Sequence, residues 1–164
     1  MRRNIILFLF CYFFSFVGWT DLIRPSFYEK TALPTLTGRV VDQANILDVE
    51  TENKISAILE RLEPNQVVVA TVSTLNGKEI EEYALRLARF WALGEKQKDN
   101  GLLFLIAPNE RQTRLEVGYG LEGIITDVWA HQVIEKEVLP YFRKNDYRNG
   151  ILNGVNAIVT ALSS

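Results

Sequence analysis

The sequence predicts an α/β fold: a three-layer sandwich in which a small, mostly parallel mixed sheet of about four strands has helices on both faces. Two continuous apolar runs, 67–72 and 102–107, are typical of buried strands. The strongest helical pattern, 78–93, lies between them, so a right-handed crossover should make these strands parallel. An alternating segment, 112–117, follows a four-residue turn and predicts an antiparallel hairpin partner.

The elements before the first apolar run are a short strand and a helix. Residues 38–42 form a β-prone lead segment. Asp48 is a candidate N-cap, and Glu50 and Glu52 lie in the following turn, where the helix dipole favours negative charge. Pro64 should end this helix. Its apolar positions recur at helical spacing and are Ile55, Ile58, Leu59 and Leu62.

The helix at 78–93 is predicted to bury one face, and Gly94 suits the position beyond its end. A polar loop, 94–100, then leads to the second buried strand. We expect Trp91 to belong to the core. The predicted buried face comprises Ile80, Tyr83, Ala84, Leu87, Phe90 and Trp91.

Two helices complete the domain. The first, opened by Asp127, is expected to end at Val138, before Pro140. Asp146 should cap the last helix. Gly150 and Gly154 lie four residues apart on it, and close helix packing explains them better than a membrane dimer motif.

The N-terminus carries a targeting signal. Arg2 and Arg3 precede an uncharged apolar run at 5–19. This pattern predicts that residues 1–20 are a signal peptide or signal anchor, 21–35 a linker and 36–164 the folded domain. The domain should therefore be exported, either periplasmic or held at the outer face of the cytoplasmic membrane. Cys11, the single cysteine, lies inside the apolar run, so no disulfide is expected in the domain.

Composition limits the class of partner. The net charge is −2, and apolar residues make up 48% of the chain. No clustered basic face is visible, so we expect no nucleic-acid partner. A mildly acidic chain is compatible with divalent cations.

The hairpin predicts which polar segments meet. Pairing Ala107 with Gln112 places Gly101 opposite Gly118, and the loop residues further out follow. The loop that contains Asp99 and Asn100 should therefore lie against the glycine-rich stretch 118–123. The acidic residues expected at this end are Asp99, Glu116, Glu122 and Asp127.

Carboxylates gathered in one place repel one another unless a cation lies between them. Together with backbone oxygens from a glycine turn they suit Ca²⁺ or Mg²⁺, with Mn²⁺ as a further candidate. No His/Cys set for zinc exists. The alternative is that each acid is a solvated loop charge or a helix cap. The ligand-binding loop would consist of Gly118, Tyr119, Gly120 and Gly123, with Tyr119 at its rim.

Other site motifs have less support. Gly118, Gly120 and Gly123 form G-x-G-x-x-G, a dinucleotide fingerprint, but the strand before it is a hairpin partner and no later strand follows. His131, the single histidine, could assist proton transfer, although packing or exposure is favoured. No Ser-His-Asp set can be assembled.

Taken together, these motifs resemble the TPM domain family over about residues 36–162. The resemblance rests on 40–42, 98–101, the stretch 118–123 and 126–127. It implies an exported α/β sandwich that binds a divalent metal in acidic loops. For some members it implies acid phosphatase activity, and for others a role in assembling or maintaining membrane complexes. The metal-site residues it implies are Asp42, Asp99, Asn100, Glu116, Glu122 and Asp127.

Asp42 departs from this grouping. If 39–42 is a parallel first strand, Asp42 lies at the opposite end of the sheet from the other acids. It could join them only if the lead segment folded back.

The resemblance, together with these residues, implies two functions. The first is an interaction, assembly or maintenance factor for a membrane or envelope protein complex, with an exposed Tyr119 at the contact. The alternative is a metal-dependent phosphomonoester hydrolase. In that case a cation on Asp99 and Glu122 would neutralise phosphate oxygens, Lys96 and Lys98 would bind phosphate, and Asp127 would act as general base.

Overall fold

The structure is a computed structural model, and it describes residues 33–163. The predicted signal segment, with Arg2, Arg3 and Cys11, and most of the predicted linker lie outside the described residues. No helix within 33–163 has the length and hydropathy needed to cross a bilayer.

Four strands form one mixed sheet in the order β1-β2-β3-β4. They are β1 (Val40–Asp42), β2 (Gln66–Thr71), β3 (Gly101–Ala107) and β4 (Gln112–Val117). The first three are parallel, and β4 returns antiparallel to β3. The predicted mostly parallel mixed sheet is therefore confirmed, including the pairing of Ala107 with Gln112.

Helices cover both faces of the sheet, which confirms the three-layer sandwich. Alternate residues of the buried strands point to opposite faces. Val67, Val69 and Phe104 pack with α1 and α5, while Val68 and Leu103 pack with α2. The helices are α1 (Val49–Glu60), α2 (Ile80–Phe90), α3 (Asp127–Val133), α4 (Leu139–Phe142) and α5 (Tyr147–Leu162).

The two parallel crossovers have opposite hands. Both β1-α1-β2 and β2-α2-β3 move one position in the same direction across the sheet. However, α1 packs on one face and α2 on the other. One of the two connections is therefore left-handed, an exception to the usual right-handed preference.

The helix that starts at Asp127 does not stop before Pro140, so that prediction was wrong. After α3 the chain forms a π-helical stretch, Ile134–Val138, and continues directly into α4. Pro140 lies in the first turn of α4, the part of a helix that tolerates proline best. The wider π turn lets the helix continue past the proline.

Most of the predicted face of α2 is buried, but Phe90 is 61% exposed, contrary to expectation. Trp91, beyond the helix end, is buried as predicted. Its Nε1 donates to the carbonyl oxygen of Pro34 at 2.7 Å. Leu33 packs against the same core cluster. The end of the predicted linker therefore packs as part of the domain.

The two glycines of α5 serve close packing, as predicted. A Cβ on Gly150 would lie 2.5 Å from the ring of Phe142, and one on Gly154 would lie 2.7 Å from Phe104. The last helix can thus approach the sheet and α4 only because these positions lack side chains.

Two aspartates cap helices. Asp48 accepts from the backbone N–H of Thr51 at 2.7 Å, and Asp146 accepts from that of Asn149 at 3.2 Å. The hydrogen bond from the backbone of Thr51 lowers the pKa of the Asp48 carboxyl. Hydrogen bonds from the side chain and backbone of Asn149 do the same for the pKa of Asp146. Burial raises the pKa of Glu52, with a further contribution from Asp42 and Asp48.

We predict that the double change Asp48→Asn and Asp146→Asn weakens the dependence of stability on acid pH. A carboxyl with a lowered folded-state pKa stabilises the fold above its unfolded pKa of about 4 and loses this contribution as pH falls through its folded value. Urea midpoints measured at neutral pH and at several values below about pH 4 should fall less steeply in the variant.

Glu52→Gln is the control, because its carboxylate should affect the stability of the fold in the opposite direction. Because its pKa is raised, the ionised Glu52 carboxylate opposes folding above that pKa, so the variant should be more stable than the parent at neutral pH. An acid dependence in the double aspartate variant as steep as in the parent would contradict the assignment.

Candidate functional site

The polar connector and the glycine loop touch, as the hairpin register predicted. We define the connector as residues 94–100, before β3, and the glycine loop as residues 118–123, after β4. The N–H of Gly118 donates to the carbonyl of Gly101 at 2.8 Å, and the N–H of Gly120 donates to that of Asp99 at 3.1 Å. The hairpin ladder therefore continues two residues beyond β3, and the two loops form one face of the molecule.

Close approach, rather than positive φ, explains two of the glycines. A Cβ on Gly118 would overlap the carbonyl oxygen of Asp99, and one on Gly120 would overlap that of Lys98. Gly118 has a φ of −71°, which any residue can adopt. The left-handed residue at this contact is Asp99, at φ 46°. Gly123 has open space around its Cβ position, and nothing in the structure explains it.

Asn100 is only 5% exposed and holds the connector through hydrogen bonds from the protein interior. Its Oδ1 accepts from the N–H of Glu95 at 2.8 Å, and its Nδ2 donates to the carbonyl of Pro64 at 2.9 Å. The structure therefore places Asn100 as a buried brace of the loop, and its side-chain oxygen faces a backbone donor instead of the predicted cation.

Several predicted site residues border one cavity of about 600 Å³ between α2 and the glycine loop. The exposed side of α2 forms the opposite wall, with Leu85 and Arg89. The predicted residues that line this cavity are Lys96, Asp99, Glu116, Gly118, Tyr119 and Glu122.

The three acids at this cavity differ in their surroundings. Glu116 is 16% exposed by its side chain and accepts from Arg114 Nε at 2.8 Å. Arg114 therefore offsets the charge of Glu116 within the protein, although it also lies 3.6 Å from Glu81 on α2. Asp99 and Glu122 are exposed. Neither forms an ion pair with another residue in the range 33–163.

The other predicted site residues do not line this cavity. Asp127 is exposed at the start of α3 and borders a separate groove beside β4, together with His131. Thr126, not Asp127, caps α3, through a hydrogen bond of 3.2 Å from the N–H of Trp129. Lys98 pairs with Glu95 at 2.9 Å on the connector surface.

Asp42 lies at the opposite end of the sheet, where β1 ends beside Thr71. Its carboxylate accepts from the hydroxyl of Thr71 and from the N–H of Leu47, the latter at 2.8 Å. The lead segment does not fold back, so the structure separates Asp42 from the other acids and gives it a role in the turn after β1.

The described part of the chain contains no group of three or more His, Cys, Asp or Glu side chains placed to hold a metal ion. Of the predicted cation ligands, Asp99 and Glu122 are the two that line the cavity with exposed carboxylates, unpaired within the range 33–163. Protein groups for a cation would thus be few, and water or a partner would have to complete its coordination.

The dinucleotide fingerprint does not fit this geometry. β4 is antiparallel to β3, and Tyr119–Leu121 forms a 3₁₀ turn before α3 starts at Asp127. The N–H of Gly120 already donates to Asp99. A pyrophosphate would therefore find no open helix N-terminus at the glycine loop.

Sequence reasoning missed Arg114, the partner of Glu116. The two residues are two apart on β4 and so share one face of the strand. That spacing in the sequence could have predicted the ion pair. The sequence could not have predicted that Leu85 and Arg89 line the cavity, because this depends on how α2 packs over the hairpin.

Comparison with known proteins identifies the fold and the family. The family model described as TPM domain matches residues 40–161. The solution structure of the N-terminal domain of a P. gingivalis protein aligns with a TM-score of 0.74 and 29% identity, covering 80% of this chain and 88% of that chain. No curated protein matches the sequence.

Two more distant structures share the fold. The N-terminal domain of the cg2496 protein from Corynebacterium glutamicum has a TM-score of 0.60 and 16% identity, covering 82% of this chain and 87% of that chain. The BA42 protein from the psychrophilic bacterium Bizionia argentinensis has a TM-score of 0.61 and 17% identity, covering 71% and 81%.

We predict that Gly118→Ala and Gly120→Ala each destabilise the fold by about 1–3 kcal/mol, because the added methyl would displace the backbone of the connector. Gly123→Ala is the matched control. With open space at its Cβ position it should be neutral or stabilising by roughly 0.4–1 kcal/mol. Urea unfolding of the three variants measures the difference, and equal stabilities would contradict the close-approach argument.

Proposed function

Since the chain belongs to the TPM domain family, we propose that it is an exported interaction domain that serves the assembly or maintenance of a membrane or envelope protein complex. The glycine loop would contact a protein partner through Tyr119. A divalent cation bound beside it would order the acidic side chains. Export itself is inferred from Arg2, Arg3 and the apolar run at 5–19.

The observation that carries this proposal is the exposure of Tyr119. Tyr119 is 80% exposed, although the backbone on both sides is held by the hydrogen bonds of Gly118 and Gly120. An aromatic ring in that position adds little to the stability of the fold. It is, however, a low-entropy contact residue, and tyrosine is enriched among the residues that dominate binding energy at interfaces.

The surroundings of Tyr119 suit a protein surface. Leu85, 39% exposed on α2, supplies an apolar contact on the other wall of the cavity. Arg89, Lys96, Asp99 and Glu122 surround it with charges of both signs. An apolar centre with a polar rim is the usual composition of a protein–protein contact.

A cation would bind at Asp99 and Glu122. Both carboxylates are exposed and line the same cavity. Hard oxygen ligands favour Ca²⁺ or Mg²⁺, with Mn²⁺ as a third candidate. With two protein carboxylates the ion would keep several waters, or it would take further oxygens from the partner. Coordination shared with a partner would couple cation binding to assembly.

The second candidate function is a metal-dependent acid phosphatase. The observation in its favour is that Lys96 lines the same cavity as Asp99 and Glu122, which would place a cationic side chain near a bound phosphate. Against it, the predicted general base Asp127 borders a different groove. The geometry therefore supports the interaction domain better than the hydrolase.

We predict that Tyr119→Ala abolishes retention of the full chain by its envelope partner while leaving the melting temperature unchanged, because the ring has little fold contact to lose. Chemical crosslinking in membranes from the source cells, followed by recovery of the crosslinked partner, measures retention. Val49→Ala is the matched control, since Val49 is 71% exposed but begins α1 at the opposite end of the sheet. Equal crosslinking by Tyr119→Ala and the parent protein would refute the proposal.

We also predict that millimolar Ca²⁺ or Mg²⁺ raises the melting temperature of the parent protein, and that Asp99→Asn with Glu122→Gln removes this shift. The ion binds only the folded arrangement of the two carboxylates, so it stabilises by mass action. Asp127→Asn should keep the parental shift. No shift in the parent with Ca²⁺, Mg²⁺ or Mn²⁺ would exclude the cation site.

The phosphatase alternative has its own measurement. Hydrolysis of p-nitrophenyl phosphate at acid pH, with and without the divalent ion, should differ between the parent and Asp99→Asn if the cavity is catalytic. Equal rates would assign any turnover to a contaminant.

A further inference from the structure

A second cavity lies at the far end of β3 from the glycine loop. Its volume is about 430 Å³, and it lies beyond Ile106 and Ala107, where β3 ends. The seven residues of β3 separate it from Gly101 by roughly 20 Å. The crevice outside the carboxyl ends of the strands is where open α/β sheets usually bind ligands. None of the residues argued for the proposed function lines this cavity.

The charged side chains of the described chain that line the cavity are both arginines. Arg111 comes from the β3–β4 turn and Arg143 from the end of α4. Arg143 lies 3.6 Å from Glu135, which neutralises it in part. Arg111 forms no ion pair with any residue of the described range 33–163. The cavity therefore carries a surplus of about one positive charge with no counter-ion of its own.

The backbone conformation of Arg111 is strained for an arginine. Its φ is 56°, in the left-handed region, and its N–H closes the turn by donating to Pro108 at 3.2 Å. Glycine or asparagine adopts this conformation with less strain. An unpaired arginine held in strain beside a cavity points to a function of its guanidinium rather than to the stability of the turn.

The other walls combine apolar and aromatic side chains with two side-chain amides. Phe142 and Tyr147 have their ring centroids 5.0 Å apart at 51°. Ile106 and Leu139 line the cavity with them. A pocket of roughly 300–1,000 Å³ with apolar walls and a few convergent polar groups is typical of a small-molecule site.

We propose that this cavity binds a small monocarboxylate that carries an aromatic or branched apolar body. The guanidinium of Arg111, assisted by Arg143, would hold the carboxylate, because its planar fork matches the two carboxylate oxygens. The body of the ligand would pack against the exposed sides of Phe142, Tyr147 and Leu139. One unpaired guanidinium compensates the charge of a monoanion, whereas a phosphate dianion costs more to desolvate and would keep one charge uncompensated.

The experiment titrates phenylacetate into the isotope-labelled full chain and follows amide chemical shifts. Saturable shifts should concentrate at the amides that line the cavity, such as Ile106, Leu139 and Tyr147. Two further probes define the ligand chemistry. 2-Phenylethanol lacks the charge and phenyl phosphate carries a second one, so both should bind more weakly.

The decisive variant is Arg111→Asn. Asparagine tolerates positive φ, so the turn should form and the melting temperature should be unchanged or raised. Loss of a charge-assisted hydrogen bond to the carboxylate should weaken phenylacetate binding by about tenfold or more. Arg143→Gln should weaken it as well. Arg61→Gln, an exposed arginine at the end of α1 that does not line the cavity, is the matched control and should bind as the parent does.

Several outcomes would overturn the proposal. These are the absence of saturable shifts at millimolar phenylacetate, shifts spread over the surface, or equal affinity in Arg111→Asn and the parent. Binding of 2-phenylethanol as tight as that of phenylacetate would refute the role of the arginines. Tighter binding of phenyl phosphate would refute the monocarboxylate assignment. Tyr119→Ala should not change phenylacetate binding, so this test is independent of the proposed function.

Discussion

The face that carries Tyr119 depends on one steric constraint, the contact between two backbones. The glycine loop lies directly on the connector, with the carbonyl oxygens of Lys98 and Asp99 occupying the space where side chains of Gly120 and Gly118 would be. The same contact extends the hairpin ladder past β3 through two N–H···O bonds. A loop held in this way is more rigid than its exposure suggests, because its backbone groups are satisfied by protein and not by water. Asp99, Tyr119 and Glu122 are consequently displayed from a fixed backbone.

The two ends of the sheet have different chemistry. At the amino end of β3, the connector and the glycine loop present the exposed ring of Tyr119 beside the carboxylates of Asp99 and Glu122, which are unpaired among the described residues. This combination suits the proposed protein contact supported by a hard cation. At its carboxyl end, the cavity with Arg111 and Arg143 is more recessed and is bordered by aromatic rings. Since β3 is buried along its whole length, the two ends share a rigid core strand but no side chains. The proposed interaction surface and the proposed small-molecule site can therefore be tested separately in one domain.

The placement of Asp127 shows where prediction from sequence failed. The hairpin register placed Asp99 beside Gly120, because an antiparallel pair with a known turn leaves one alignment that keeps the apolar residues inside. After Gly120 no such rule applies. Leu121 and Ile125 are buried in the core on the α1 and α5 side of the sheet, which draws the chain away from α2. Asp127 therefore emerges beside the groove along β4, away from the cavity that Asp99 and Glu122 share.

The sequence by itself determined the strands, the helices that flank them, their parallel or antiparallel pairing and the contact between the connector and the glycine loop. These follow from periodicity, turn residues and strand register, which are local or nearly local properties. The tertiary structure alone decided the opposite hands of the two crossovers, the burial of Asn100 beneath the connector and the exposure of Phe90. It also decided which acids share a cavity and brought Arg111 and Arg143 together at the far end of β3. Each of these depends on how helices distant in the chain pack on the sheet, and residue spacing carries no information about the face on which a helix packs.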